Sequence, residues 1–165
     1  MTKLGTFAVI DIDGVLADVR HRLHHLESRP KDWESFFAAA PTDPLLVEGL
    51  EVALDLAGEH EIVYLTGRPE HCRGDTQLWL SKFGFPAGRL IMRRNSDHRP
   101  ARMTKVEELN RLQQQRPVSL LVDDDERVVA AATAAGYTVR HATWMHGARH
   151  DQQALFEAQE TEGRT

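Results

Sequence analysis

Three short runs of apolar residues stand out along the chain, and each is followed at once by polar residues. Residues 6–12 are rich in β-branched and aromatic side chains, and runs at 62–65 and 118–122 share this character. Nearly continuous apolar character over about four to eight residues is typical of a strand that is buried on both faces. The pattern therefore predicts three central strands, and weaker runs at 90–92 and 137–139 complete a set of five.

Apolar residues at helical spacing fill the gaps between these strands. Such stripes lie at 47–57, 78–83, 106–112 and 126–135. Thr104 to Glu107 matches a capping box, which predicts a helix that begins there with Lys105 in its first turn. Because strands that alternate with helices imply parallel crossovers, we expect a three-layer α/β/α fold with a Rossmann-like parallel sheet.

Two segments do not follow this alternation. Residues 17–44 contain two short helix-like pieces and three prolines, and we interpret them as a small helical cap inserted after the first strand. The polar tail from Gly147 onward is expected to fray or to pack as a short outer helix. At 165 residues the chain is long enough for one domain and too short for two of ordinary size.

Composition excludes several classes of protein. With 41% hydrophobic and 27% charged residues, the chain resembles globular proteins rather than disordered ones. A window of about 18 apolar residues, which a membrane span needs, does not occur. The first residues do not resemble a signal peptide, and one cysteine cannot form an internal disulfide, so we expect a cytoplasmic protein.

Charge is distributed unevenly. The net charge of -5 argues against a protein that coats DNA without specificity. Between positions 89 and 105, however, six basic residues face one acidic residue. This basic strip suits an anionic ligand held at one site, and it equally suits a solvated loop and helix face.

The carboxyl ends of the three central strands carry the candidate site. The residues there are Asp11, Asp13, Thr66, Gly67, Asp123 and Asp124. Carboxyl ends of parallel strands meet at one edge of a sheet, so these groups should converge. Oxygen ligands of this kind favour Mg²⁺, which Asp11, the backbone carbonyl of Asp13 and one aspartate of the later pair could hold. The sequence leaves open whether Asp123 or Asp124 binds the ion directly.

These residues together could hydrolyse a phosphate monoester. Asp11 is the candidate nucleophile, and Asp13 is the candidate general acid, later the base for water. Thr66 and Gly67 offer a hydroxyl and a backbone N–H to the phosphoryl oxygens, and Lys105 adds a positive charge.

In this order the residues resemble the four motifs of the haloacid dehalogenase superfamily of phosphohydrolases. Within it, residues 7–144 are most similar to the phosphatase domain of bacteriophage and bacterial polynucleotide kinases. The finer marks of that resemblance are Leu16-Ala17-Asp18, His21-Arg22-Leu23, Lys31-Asp32-Trp33, Phe36-Phe37, Thr66-Gly67-Arg68, Met92-Arg93, Asp97, Arg99-Pro100 and Val122-Asp123-Asp124.

The resemblance implies a polynucleotide 3′-phosphatase, or a relative that acts on nucleotides, with an aspartyl-phosphate intermediate and Mg²⁺. By the same resemblance Arg22 and Arg68 contribute to phosphatase activity. The candidates for substrate binding are Arg22, Gly67, Arg68, Arg93, Asp97 and Arg99. Two features depart from the family. No phosphate-binding G-x-x-x-x-G-K-[ST] motif occurs, so a kinase or ligase would be a separate partner. Ala101 replaces an acidic residue of some relatives, for which Asp97 is the candidate substitute.

Other interpretations compete with this one. A small-molecule nucleotidase would share every catalytic residue and differ in the cap and the basic strip. A phospho-accepting receiver uses similar groups, but its acidic pair comes first and its acceptor aspartate lies mid-chain. Arg68 could instead serve as a structural ion-pair partner of a nearby aspartate.

Three smaller groups of residues also have two interpretations. His21, His24 and His25 have zinc-like spacing, but the surface or the cap is the favoured place for them. Cys72 is expected to be a packed thiol rather than a nucleophile. The cap aromatics Trp33, Phe36 and Phe37 could stack on a nucleobase or hold the cap against the core.

Overall fold

Five parallel strands form the centre of the computed structural model, which describes residues 5–145 and 149–165. The strands are β1 (Phe7–Ile10), β2 (Glu61–Pro69), β3 (Gly88–Arg93), β4 (Val118–Asp123) and β5 (Val139–His141). Their order across the sheet is β3-β2-β1-β4-β5, so β1 lies in the middle and pairs with β2 and β4. The chain reverses its direction of winding beside β1, which is where ligands bind in open α/β sheets.

Helices cover both faces of the sheet. They are α1 (Trp33–Ala38), α2 (Val47–Ala57), α3 (Arg73–Lys82), α4 (Ala101–Gln115), α5 (Glu126–Ala134) and α6 (Arg149–Thr161). Because successive strand residues point to opposite faces, Ala8 and Ile10 pack with α2 and α3, whereas Phe7 and Val9 pack with α4 and α5. The predicted three-layer α/β/α architecture is confirmed.

The cap packs against the last helix rather than standing alone. It consists of a 3₁₀ helix (Arg20–Leu26), α1 and a second 3₁₀ turn (Ala40–Thr42). Leu23 and Phe36 of the cap share a buried cluster with Leu155 and Ala158 of α6. Of the two expectations for the tail, the structure has the packed helix rather than the frayed segment, since Leu155 and Ala158 of α6 are fully buried. Gly147 itself lies outside the described residues.

The start of α4 differs from the prediction. The helix begins at Ala101, directly after Pro100, so the residues from Thr104 are interior and the Thr104 hydroxyl bonds to the carbonyl of Ala101. A proline is well tolerated at a helix start, since its fixed φ suits the first turn and its missing N–H is not needed there. Lys105 consequently lies in the second turn.

Within the described residues, no helix combines the length and the apolar character that a membrane crossing requires.

Candidate active site

Three buried carboxylates meet where β1 and β4 end. Asp11, Asp123 and Asp124 each place an oxygen within 4.8 Å of the others. None of the three residues is more than 5% exposed. The structure therefore brings together the first and last aspartates of the predicted site.

Lys105 supplies a positive charge to this cluster. Its Nζ lies 2.7 Å from Asp123 Oδ2 and 3.1 Å from Asp11 Oδ1. Burial raises the pKa of Asp11 to about 7, which Lys105 opposes and Asp123 and Asp13 reinforce. Burial and the negative charges of Asp11 and Asp123 also raise the pKa of Asp124 well above its usual value. One ammonium group thus does not balance three carboxylates, and the cluster favours further positive charge.

The donor set fits a hard divalent cation, which oxygen ligands suit best. Both oxygens of Asp123 are engaged, one by Lys105 and the other by the N–H of Asp125 at 3.0 Å. Asp124 Oδ2 is buried and has no hydrogen-bond partner. A Cβ at Gly14, whose φ is +80°, would lie 1.9 Å from that oxygen, so glycine leaves the space that Asp124 occupies. Asp124 therefore has an oxygen available for an ion, and Asp123 is held in place by its neighbours.

Asp13 is oriented differently from Asp11. Its Oδ1 accepts hydrogen bonds from Arg68 Nη2 at 2.5 Å and from Arg22 Nη2 at 3.0 Å. Burial alone would raise the pKa of Asp13, but the guanidinium groups of Arg68 and Arg22 outweigh burial and lower this pKa to about 2. Without substrate, Asp13 is an ionised base.

Asp43 is a buried member of this network that the sequence analysis missed. It is 2% exposed, and its carboxylate accepts two hydrogen bonds from Arg22, both of 2.8 Å, and one of 3.0 Å from Arg68. Two buried arginines against Asp13 alone would carry an unbalanced charge, so Asp43 completes the neutralisation. In the sequence, Asp43 resembles a turn residue before Pro44. The one available signal was that two arginines, once expected to be buried beside Asp13, need a second carboxylate to neutralise them.

The β2 side of the site contributes Thr66 and Gly67. Thr66 is 3% exposed, and its hydroxyl accepts a hydrogen bond from the N–H of Arg68 at 3.1 Å. The carbonyl of Gly67 accepts a hydrogen bond from Arg93 Nε at 3.2 Å. Thr66 and Lys105, two of the three predicted phosphate-binding residues, line one open pocket together with Arg93.

The basic strip is not one continuous surface. Arg99 pairs with Asp97 at 2.8 Å and with Glu107 at 2.7 Å. Arg89 pairs with Glu61 near the opposite end of β3, and Arg102 pairs with Glu160 of α6. Asp97 and Arg99 line the same pocket as Lys105, but they bond to each other there. What remains of the strip is Arg93 and its neighbour Arg94, which have no side-chain carboxylate partner within the described part of the chain.

The smaller groups have structural roles. Phe36 and Phe37 of the cap helix α1 are buried in the cluster that the cap shares with α6, while Trp33 is partly exposed and stacks on Phe37. Burial raises the pKa of the Cys72 thiol to about 11, as expected for a packed cysteine. The ring of His21 bonds to Asp43 at 2.6 Å.

Comparison with known sequences identifies a family model for nearly the whole chain. The model, described as the polynucleotide kinase PNKP phosphatase domain, matches residues 6–143. This range contains all the residues discussed above except those of α6 and the tail. No curated protein is similar enough to count as a match.

Solved structures share the fold. A chain of a Pnkp1/Rnl/Hen1 complex is 24% identical with a TM-score of 0.70, and the match covers 86% of this chain and 47% of that chain. The present chain thus spans about half the length of that relative. The haloacid dehalogenase-like hydrolase SP0104 from Streptococcus pneumoniae is 14% identical with a TM-score of 0.65, over 94% of this chain and 91% of that one. An enzyme of the same superfamily from Bacteroides thetaiotaomicron, solved with magnesium and inorganic phosphate, is 13% identical with a TM-score of 0.52, over 88% and 98% of the two chains.

Proposed function

Because the chain belongs to the family of polynucleotide kinase phosphatase domains, within the haloacid dehalogenase superfamily, and is thus a phosphatase, we propose that it removes 3′-phosphates from nucleic-acid ends in a Mg²⁺-dependent reaction. One observation carries the proposal. At a single edge of the sheet, Asp11 lies in the carboxylate cluster with Asp123 and Asp124, while Asp13, two residues later, is held by two arginines.

The proposed reaction has two steps. A carboxylate oxygen of Asp11 attacks phosphorus, an aspartyl-phosphate forms, and the bond from phosphorus to the leaving 3′-oxygen breaks as that oxygen takes a proton from Asp13. Water then attacks the aspartyl-phosphate while Asp13 takes a proton from the water, which releases phosphate and restores Asp11.

The two roles of Asp13 make different demands on its pKa. Its ionised state in the free protein suits the second step directly. The first step requires a proton on Asp13, and the approach of an anionic phosphate raises the pKa of a nearby carboxylate. Arg22 and Arg68 fix the orientation of Asp13 through both steps, so we assign them to positioning rather than to contact with the substrate.

The same residues would hold the ion and the phosphate. We propose that Asp11, Asp124 and the backbone carbonyl of Asp13 bind Mg²⁺, which when bound neutralises negative charge on the phosphate. Asp123 is then an outer residue that Lys105 fixes in place. Thr66, Gly67 and Lys105 would contact the phosphoryl oxygens. Arg93 would contact the nucleotide next to the phosphate, with Asp97 and Arg99 at the rim of the site.

A comparison of substrates tests the assignment. The purified chain would be assayed on a 3′-phosphorylated oligonucleotide, a 5′-phosphorylated oligonucleotide and mononucleotides, with Asp11→Asn as the inactive control. Preference for the 3′-phosphorylated oligonucleotide, with activity that falls as salt rises, supports the proposal. Faster turnover of mononucleotides would favour the small-molecule nucleotidase, and activity that survives Asp11→Asn would exclude the covalent route.

A partner and a location complete the proposal. The related Pnkp1 chain was solved in a Pnkp1/Rnl/Hen1 RNA repair complex. We propose that a separate kinase or ligase acts with this chain in the cytoplasm, which co-purification from cell extract with a tagged copy would test.

A further inference from the structure

The segment that follows α6, residues 162–165, lies against the proposed phosphate-binding loop. Thr165 is 1% exposed. A Cβ built on Gly67 would lie 2.1 Å from the carbonyl carbon of Thr165 and 2.7 Å from its oxygen. The backbone of Thr165 thus rests directly on Gly67, and no side chain would fit between them.

Arg93 links this segment to the site. Its guanidinium donates to four main-chain oxygens, those of Gly67, Asp97, Arg99 and Thr165, at 2.8 to 3.2 Å. Arg93 is 6% exposed and has no side-chain carboxylate as a partner in the part of the chain that the structure describes. A charged phosphate oxygen is a strong acceptor for a guanidinium. The Thr165 main-chain oxygen therefore occupies a position beside Arg93 that a phosphate oxygen could take.

Only a few contacts hold the segment in place. Glu162 accepts a hydrogen bond of 3.0 Å from Trp33 and pairs with Lys31 at 3.4 Å, and its side chain is 38% exposed. Gly163 has a φ of +57°, and its backbone lies so close to the loop before α4 that a Cβ would come within 1.9 Å of the His98 carbonyl oxygen. Partly exposed pairs of this kind contribute little to stability. The N–H groups of Glu162 and Gly163 also bond to the carbonyl of Ala158 in the last turn of α6, at 3.0 and 3.2 Å. The segment can therefore leave at the cost of these end bonds, with the cap and the rest of α6 still folded.

We propose that residues 162–165 form a strap that occupies the binding position of the nucleotide next to the scissile 3′-phosphate, so that nucleic acid must displace the strap from Gly67 and Arg93. This inference rests on the proposed function for the identity of the competitor. In physical terms, the Thr165 main-chain oxygen and a phosphodiester of the nucleic-acid backbone compete for the guanidinium of Arg93. A small aryl phosphate has no neighbouring phosphodiester for Arg93 to bind, so the strap should hinder its binding less than that of an oligonucleotide.

Two variants of the full chain test the strap. Gly163→Ala forces the strap off the His98 carbonyl, and Gly84→Ala is the matched control, since Gly84 also has a positive φ of +73° but has nothing within 4 Å of an added Cβ. Glu162→Ala removes the contacts with Lys31 and Trp33, and Glu160→Ala, which removes only the pair with Arg102, is its control.

We expect Gly163→Ala and Glu162→Ala to lower KM for a 3′-phosphorylated oligonucleotide by about three- to tenfold, as for a site that is open a tenth to a third of the time. The KM for an aryl phosphate should fall less than that for the oligonucleotide in the same two variants, and both control variants should keep the wild-type KM on both substrates. Hydrogen exchange adds a direct measurement, because oligonucleotide binding to the wild-type chain should speed amide exchange in 162–165.

Unchanged or raised KM in both strap variants, or slower exchange in 162–165 on binding, would overturn the strap. Failure of the proposed function looks different. If the oligonucleotide is bound but not hydrolysed, its Kd, measured by fluorescence anisotropy, replaces KM and is expected to fall in the same two variants. If Gly163→Ala does not fold, Glu162→Ala carries the test alone.

Discussion

The buried carboxylate of Asp43 supports both stability and catalysis, and Asp43→Asn tests this. The change keeps the shape of the side chain but removes the charge that three hydrogen bonds from Arg22 and Arg68 neutralise. Both guanidinium groups would then depend on Asp13 for an anionic partner. Breaking a buried ion pair by removing one member costs about 3–5 kcal/mol, because the remaining charge stays buried without compensation.

That loss should be visible in thermal unfolding. For a chain of this size, a loss of 1 kcal/mol lowers Tm by about 2–4 °C, so Asp43→Asn is expected to lower Tm by about 6–20 °C. Asp18→Asn is the matched control, since Asp18 pairs with the partly exposed Arg20 near the surface and its removal should cost about 1 kcal/mol or less.

Catalysis provides the second measurement on the same variant. Arg22 and Arg68 without Asp43 should hold Asp13 less well, so kcat is expected to fall more for a 3′-phosphorylated oligonucleotide than for an aryl phosphate, whose leaving group needs less protonation. A loss of stability no larger than that of Asp18→Asn, or equal losses of kcat on both substrates, would refute the positioning role.

Three further predictions concern the carboxylate cluster and Asp13. The pKa of Asp11 is raised by burial to about 7 from an ordinary value of 3.8, so the ion-free fold loses stability as pH rises between these values. Mg²⁺ must displace that proton, so its Kd should be lower at pH 8 than at pH 5. A fixed Mg²⁺ concentration of about 100 times the pH 8 Kd should therefore add up to about 2.7 kcal/mol of stability at pH 8 and less at pH 5, measured as the rise in Tm. An equal gain at both pH values would contradict this. Asp124→Asn should abolish most of that Mg²⁺ effect, measured as the shift in Tm, while Asp125→Asn should retain it. Gly14→Ala should lower the free energy of unfolding by more than the roughly 1–2 kcal/mol that a left-handed backbone costs a residue with a Cβ, because this Cβ would also displace Asp124. Urea unfolding measures the loss, and a loss below about 1 kcal/mol would count against the close approach of Gly14 to Asp124.

Much of the sheet could be predicted from the sequence because its central strands are buried on both faces. Phe7–Ile10 and the run at 62–65 in β2 are continuously apolar, and the run at 118–122 in β4 is interrupted only by Ser119, which leaves little ambiguity about strand or layer. The capping box predicts Lys105 in the first turn of its helix, whereas α4 begins earlier, at Ala101. The capping box and the start after Pro100 are both locally favourable, so local pattern alone could not choose between them.

The carboxylate cluster was predictable for a related reason. Parallel strands must bring their carboxyl ends to one edge, so the positions of Asp11 and Asp124 in sequence determined their proximity in space once the strands were assigned. The sequence allows Arg68 either a catalytic or an ion-pair role, and the structure shows both of its carboxylate partners, Asp13 and Asp43.

The contacts that the sequence did not reveal are those made between a loop and a distant segment. Asp43 meets Arg68 across 25 residues, and Thr165 meets Arg93 across 72. Neither contact follows a helical or strand period, because both depend on how the cap and α6 close over the sheet edge. Yet both satisfy the same requirement, that a buried guanidinium must have acceptors. Arg22 and Arg68 meet it with a permanent carboxylate, which makes their network structural, whereas Arg93 meets it with main-chain oxygens, which a phosphate can replace. That difference in partner separates the arginines that position Asp13 from the one that is free to exchange its acceptor for substrate.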